Sequence, residues 1–254
     1  MNIRVLGCHG AELAHRDTCG FLINDTVLLD AGTICSALTL TEQRNIRAIL
    51  ISHIHADHIK GLPFLSENVI GEPGPPIVIY GLEPVLEGLH RYLFNDHLWP
   101  DFTRIPASNP LFRLQPMAEG ETVQIEGLAV QAFAVNHTIP CAGFVIRRSR
   151  TAFLYSGDTY QTERIWHVAA QTPDLKAAMI ETSFPNALDD LARRSKHLTP
   201  ALLAQEFAKL GRPELPLYIY HMKPRYLDTI RRELDALGIK NLEVLADGQV
   251  FEIA

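Results

Sequence analysis

The stretch HIHADH, residues 53–58, decides how this chain is read. It places His53, His55, Asp57 and His58 within six positions, directly after RAILIS (47–52), a short and almost wholly apolar run. Such a run reads as a strand covered on both faces. While the chain stays extended, alternate side chains point the same way, so His53 and His55 can share one ion. A helix is expected to begin near Asp57 and to end before Pro63; that turn redirects Asp57 and His58 toward a second ion. Imidazole and carboxylate are donors that zinc accepts, and manganese or iron would tolerate them.

Three further ligand-type residues follow expected strands: His137 after the strand ending at Val135, Asp158 after TAFLYSG, and His221 after LYIY. One histidine at a strand end is more often structural than a ligand. The four-residue cluster upstream shifts that weighting, because loops at strand C-termini are where layered α/β folds gather their sites.

Outward from the cluster, residues 2–8 and 20–30 read as strands, the latter a hairpin turning near Asn24–Asp25. Residues 77–80 read as a strand, 83–94 as a helix, and 93–110 as an irregular, aromatic loop. Strands are expected at 112–116, 121–125, 128–135, 142–148, 151–156, 176–181 and 217–221. Helices are expected near 161–170, 187–194, 199–210 and 226–237, with a final hairpin reaching Ile253. Strands in both halves interleaved with helices suit two sheets packed face to face, with helices outside. No linker or repeat divides the chain, so 1–254 is expected to form one domain.

The 254 residues are 47% hydrophobic and 20% charged, a globular balance. A net charge of −6 speaks against nucleic acid as a partner. A small phosphorylated substrate remains compatible, since bound cations would reverse the sign inside a pocket. The four cysteines, Cys8, Cys19, Cys35 and Cys141, form no C-x-x-C pair. With no signal-like run and no membrane-spanning stretch, a soluble, reduced, cytoplasmic protein is expected.

The pattern H-x-H-x-D-H followed by His, Asp and His resembles the metallo-β-lactamase superfamily. The resemblance implies an αββα sandwich holding two divalent ions, zinc foremost. It implies His53, His55 and His137 on one ion, Asp57, His58 and His221 on the other, and Asp158 bridging with a water or hydroxide. β-Lactamases of the commonest subclass carry Cys where Asp158 stands, and flavodiiron oxygen reductases carry an acidic residue in place of His55. Both are disfavoured.

Residues 180–200 (IETSFPNALDDLARRSKHLTP) narrow the reaction. Read alone, Glu181 is a loop carboxylate and His197 a surface residue before a helix capped by Thr199 with Pro200 in its first turn. Glu181-Thr182-Ser183-Phe184, His197-Leu198-Thr199 and Arg225-Tyr226 after His221 resemble segments of tRNA 3′-end ribonucleases. ETSFPN (181–186), KHLTP (196–200), HMKP (221–224), LGCHG (6–10) and LFNDHLWPDF (93–102) resemble class II cyclic-nucleotide phosphodiesterases more closely still.

That second resemblance implies hydrolysis of 3′,5′-cyclic nucleotides, cyclic AMP foremost, to nucleoside 5′-monophosphates. Asp57 would orient the attacking water besides binding metal, and His197, oriented by Glu181, would protonate the leaving 3′ oxygen. Alternatives are an RNA 3′-end or 2′,3′-cyclic phosphodiesterase and, from another class, a one-iron thiol dioxygenase. A homodimer is common among such relatives. Residues 9–20 (HGAELAHRDTCG) depart from the bacterial pattern, and His9 and His15 read there as ordinary loop residues. Phe94, Trp99 and Phe102 either stack on a base or pack their own loop.

Overall fold

The structure, a computed structural model, describes residues 1–254. The strands in chain order are β1 (Asn2–Gly7), β2 (Gly20–Ile23), β3 (Val27–Leu29), β4 (Ala48–Leu50), β5 (Ile77–Leu82), β6 (Phe112–Met117) and β7 (Val123–Ile125). They continue with β8 (Leu128–Ala134), β9 (Ala142–Arg148), β10 (Thr151–Tyr155), β11 (Leu175–Glu181), β12 (Leu217–Tyr220), β13 (Leu242–Val244) and β14 (Val250–Glu252). The helices are α1 (Leu40–Arg44), α2 (Ala56–Ile59), α3 (Gly61–Val69), α4 (Glu83–Tyr92), α5 (Arg164–Ala170), α6 (Asp189–Ser195), α7 (Pro200–Ala208) and α8 (Leu227–Asp235). No helix is long and apolar enough to cross a membrane.

One sheet runs β14-β1-β2-β3-β4-β5-β6 and the other β13-β12-β11-β10-β9-β8-β7. Strand periodicity shows how they pack, because successive side chains face opposite sides. In β10, Phe153 and Tyr155 join a core that also contains Ile3, Val5 and Ile49 of the first sheet. Ala152 and Leu154 point the other way, into a core shared with Trp166 of α5 and Leu203 and Phe207 of α7. In β11, Ala177 and Met179 face the first sheet, while Ala178 and Ile180 face the helices. Leu62, Leu65, Val85 and Leu89 of α3 and α4 cover the first sheet. The result is the expected αββα sandwich.

The hairpin between β2 and β3 turns on Asn24 and Asp25, with φ of 47° and 61°. Two consecutive left-handed residues match strand twist in a two-residue turn, and Asn and Asp tolerate that region better than most. Helix α1 starts at a capping box: Thr39 and Glu42 satisfy each other's backbone N–H groups. Arg4 of β1 adds an ion pair to Glu42 at 2.6 Å. Hydrogen bonds from Arg4 and Thr39 hold the Glu42 carboxyl down at about 2, below its usual 4.5. A depressed carboxylate stabilises the fold above its unfolded pKa and loses that contribution as pH falls through the folded value. Glu42→Gln is therefore expected to cost about 1 kcal/mol or less near neutrality, since the pair is partly exposed. The gap to wild type in thermal unfolding should shrink as pH drops from 4.5 toward 2.

The helix after the histidine segment, α2, stops at Ile59 and so ends before Pro63, as expected; a second helix, α3, begins at Gly61 with Pro63 in its first turn. A first-turn N–H has no intrahelical acceptor, so the missing proline donor costs nothing there. One local expectation is corrected: the final hairpin does not form. β13 pairs parallel with β12, while β14 pairs antiparallel with β1, so residues 245–249 carry the chain from one sheet to the other.

The aromatic loop packs largely on itself and its neighbours. Phe94 and Phe102 are buried, Phe94 lies 5.3 Å from Phe112 ring to ring, and the Trp99 indole donates to Ser66 Oγ at 3.2 Å.

Candidate functional site

Parallel strands bring the chemistry to one edge of the sandwich. β10, β11 and β12 run parallel, and β8 shares their direction through two antiparallel steps across β9. Their C-terminal ends therefore deliver His137, Asp158, Glu181 and His221 to the same side. In the other sheet β3 and β4 are parallel and deliver Asp30 and the 53–58 segment. Gly32 permits the close approach of the two loops, since a Cβ there would sit 2.0 Å from the Asp57 carbonyl oxygen.

The histidines are held from behind. Asp30 Oδ1 accepts the Ser52 backbone N–H at 2.8 Å. Its Oδ2 accepts from Ser52 Oγ at 2.8 Å, His58 Nδ1 at 2.8 Å and Tyr155 Oη at 2.7 Å. Ser52 Oγ thus gives its proton to Asp30 and receives one from His53 Nδ1 at 3.0 Å. His137 Nδ1 donates to the Lys196 carbonyl at 3.1 Å, and His221 Nδ1 donates to Ser183 Oγ at 2.8 Å. With each outer nitrogen carrying the proton, the Nε2 atoms of His53, His137 and His221 present bare lone pairs inward, and His58 Nε2 also faces inward. That is the arrangement of metal-ligating histidines.

The inward atoms form two adjoining sets. His55 Nδ1 lies 3.0 Å from His53 Nε2 and 3.1 Å from His137 Nε2. His221 Nε2 lies 3.2 Å from Asp57 Oδ2, and His58 Nε2 lies 4.0 Å from the same oxygen. Asp158 Oδ2 stands between the sets, 3.6 Å from His53 Nε2, 3.4 Å from His58 Nε2 and 3.1 Å from His221 Nε2. His58 Nε2 and Asp158 Oδ1 are buried without a hydrogen-bond partner. Buried orphan donors and acceptors are costly, and divalent cations among these nitrogens and carboxylates would remove that cost. The donor chemistry therefore fits metal ions.

Protonation agrees with that fit. Burial pushes His137 down to about 4 and His221 to about 3, leaving both rings neutral. Burial, with the neighbouring His58, also holds His53 well below the usual range. Burial opposes ionisation of Asp57 and Asp158, yet the surrounding histidines override it and hold both carboxyls below their ordinary value. His58 is the exception: burial would lower it, but Asp158 and Asp30 hold it well above the usual range. Without a cation, His58 is the ring that carries the compensating proton.

Glu181 and His197 form a second layer beside Asp158. Glu181 Oε1 accepts from His197 Nδ1 at 2.7 Å and from the Thr159 backbone at 3.2 Å. Its Oε2 accepts from Ser183 Oγ at 2.9 Å, which links the dyad to His221. The His197 ring stacks on His221 at 5.1 Å and 22°, and its Nδ1 is 4.0 Å from Asp158 Oδ2. Burial alone would lower the His197 imidazole; the Glu181 carboxylate overrides it and raises the ring above its ordinary value. His197 is thus a buried residue and not the surface histidine that its sequence context suggests in isolation.

All nine site residues named from the sequence, His53, His55, Asp57, His58, His137, Asp158, Glu181, His197 and His221, converge on this edge. The sequence reading missed Asp30, Ser52 and Ser183, which orient the ligands. It also missed Cys19, whose sulfur lies within 4.8 Å of ligand atoms of His58 and His221. His9 is buried with its Nδ1 3.2 Å from Asp247 Oδ1, whereas His15 lies exposed in its loop.

Comparison with known proteins fits this geometry. Over 224 residues the chain is 29% identical to a probable 3′,5′-cyclic-nucleotide phosphodiesterase of Yersinia pestis, covering 76% of this chain and 63% of that protein. The chain therefore spans less than two thirds of that relative's length. It is 25% identical over 234 residues to a ribonuclease Z of Synechococcus sp., covering 71% of each. Among solved structures, unliganded yeast PDE1 superposes with a TM-score of 0.83 at 19% identity, covering 98% of both chains. The profile of the family described as "Beta-lactamase superfamily domain" matches residues 25–222, a span that takes in every candidate ligand from His53 to His221. The chain belongs to the beta-lactamase superfamily domain family.

Proposed function

We propose that this protein is a dinuclear-metal phosphodiesterase that hydrolyses 3′,5′-cyclic nucleotides, cyclic AMP foremost, to nucleoside 5′-monophosphates. The observation that carries the reading is the Asp158 carboxylate, which stands between two sets of inward-facing imidazole nitrogens with the Glu181–His197 dyad on its flank. His53, His55 and His137 would hold one ion, Asp57, His58 and His221 the other, with Asp158 shared. Zinc suits these donors first, and manganese or iron second. Bound there, the pair of ions would supply Lewis acidity toward phosphate oxygens and lower the pKa of a water between them.

The chain's own residues do the rest. Asp57, half-buried and ionised, would orient the attacking water. Glu181 engages His197 at Nδ1, so proton donation to the leaving 3′ oxygen falls to Nε2. A 3′ alkoxide is a strong base, and a positioned acid relieves it. The acidic chain suits a small substrate bound by metal more than a long polyanion. A second, buried ligand set beyond the three-histidine group favours hydrolysis over one-iron dioxygenase chemistry. The similarity to ribonuclease Z makes a precursor tRNA the natural competing substrate to test.

Metal-replete protein should be offered 3′,5′-cyclic AMP, 3′,5′-cyclic GMP, 2′,3′-cyclic nucleotides and a precursor tRNA in parallel, with chromatographic analysis of products. The expected outcome is 5′-AMP from 3′,5′-cyclic AMP at the highest kcat/KM. Cleavage of the tRNA or of the 2′,3′-cyclic compounds alone would overturn the substrate assignment.

A further inference from the structure

Cys8, His9 and Asp247 meet outside the histidine-rich site. Their donor atoms are Cys8 Sγ, His9 Nδ1 and Asp247 Oδ1. Cys8 Sγ lies 3.3 Å from Asp247 Oδ1 and 3.8 Å from His9 Nδ1, and His9 Nδ1 lies 3.2 Å from Asp247 Oδ1. Around a tetrahedral zinc with bonds of about 2.3 Å to sulfur and about 2.0–2.1 Å to nitrogen or oxygen, ligand–ligand edges come to about 3.3–3.6 Å. The three observed edges are close to those of a preformed half-shell. Cys8 and His9 are buried, and the Asp247 side chain is 19% exposed.

The surroundings suit a fourth ligand and a neutral site. His9 and Asp247 line a cavity of ≈ 560 Å³, with Arg16, Asp17 and Arg231 on its walls, which leaves room for a water at the open position. Thiolate and carboxylate together cancel the charge of a divalent ion. The neighbouring arginines then meet no net positive charge.

We propose that Cys8, His9 and Asp247 form a further zinc site, separate from the His53–His221 centre, that clips the end of β1 to the 245–249 crossover. The location gives it a consequence. The Cys8 carbonyl accepts the His221 backbone N–H at 2.6 Å, where His221 sits in the left-handed region at φ 67°. Gly10 packs so closely that a Cβ would lie 2.7 Å from the His221 ring. An ion on Cys8 and His9 thus anchors the segment that backs a ligand of the main centre.

The test is zinc X-ray absorption on zinc-loaded protein, with zinc content measured by mass spectrometry. Wild type and Cys19→Ser should both show a sulfur neighbour at about 2.3 Å. Cys8→Ser, which keeps a donor toward Asp247, should lose that neighbour and one zinc equivalent, and Asp247→Asn should also bind one fewer. Absence of a sulfur neighbour in wild type would overturn the proposal, as would a sulfur signal that survives Cys8→Ser and vanishes in Cys19→Ser. Reading the wild-type spectrum first keeps the test independent of how well any variant folds. Absence of a sulfur neighbour leaves the main centre's ligand assignment untouched, whereas a Cys19-dependent signal would place a thiolate beside His58 and His221 there.

Discussion

His197→Ala is expected to slow hydrolysis of 3′,5′-cyclic AMP by about 10²–10⁴-fold, the usual contribution of a general acid. The same variant should lose far less on a nitrophenyl phosphodiester, whose leaving group departs without a proton. The loss should fall on kcat, because an acid that acts on the leaving oxygen works in the transition state. Glu181→Gln isolates the positioning role, since it keeps the shape of the 2.7 Å contact to Nδ1 and removes the charge. The carboxylate raises the His197 imidazole against the effect of burial. Its removal should therefore lower that pKa and move the alkaline limb of the kcat profile to lower pH. Equal losses on both substrates in His197→Ala would end the general-acid role and leave His197 as packing against His221.

Asp30→Ala is expected to reach the metal centre without touching a metal. Asp30 alone carries the bonds that orient His58 directly and His53 through Ser52. Loss of such an outer partner weakens metal binding by about 10–100-fold. The metal-free protein should lose stability as well, by less than the about 3–5 kcal/mol of a wholly unpaired buried charge, because the raised His58 ring keeps Asp158, at 3.4 Å, as a carboxylate partner. Asp30→Asn, which keeps the volume, should weaken metal binding with a smaller loss of stability. Chelator competition and thermal unfolding of the stripped protein separate the two effects. Unchanged metal affinity in both variants would show that Ser52 and Tyr155 hold the ligands on their own.

The legible part of this site was the part that is local in sequence. His53, His55, Asp57 and His58 sit in one turn of chain after an apolar strand, so periodicity alone assigns their directions. His137, Asp158 and His221 were legible only because each follows a strand, and strands that run parallel must end on one edge. Asp30 was not, although it closes the apolar run VLL before Ala31 and Gly32. Nothing in its neighbourhood says that Ser52, His58 and Tyr155 will all turn to it. His9 lies in a loop away from the histidine centre, as expected, but its burial against Asp247 at the other end of the chain was not legible for the same reason.

The sandwich itself followed from the order of strands and helices. Its errors came where local patterns meet long-range pairing. The last two strands look like a hairpin in isolation, yet each has a stronger partner elsewhere, β12 for one and β1 for the other. The first helix does end before Pro63; what local pattern did not show is that a second helix opens at Gly61, with the proline harmless in its first turn.

Anomalous diffraction at the zinc edge from crystals of zinc-loaded protein tests the two-ion centre most directly. Two peaks about 3.5–4 Å apart are expected at the strand ends, one within reach of His53, His55 and His137, the other within reach of Asp57, His58 and His221, with Asp158 between them. A single peak there, bound by one set while the other remains hydrogen-bonded to protein, would contradict the dinuclear centre and the phosphodiesterase mechanism built on it.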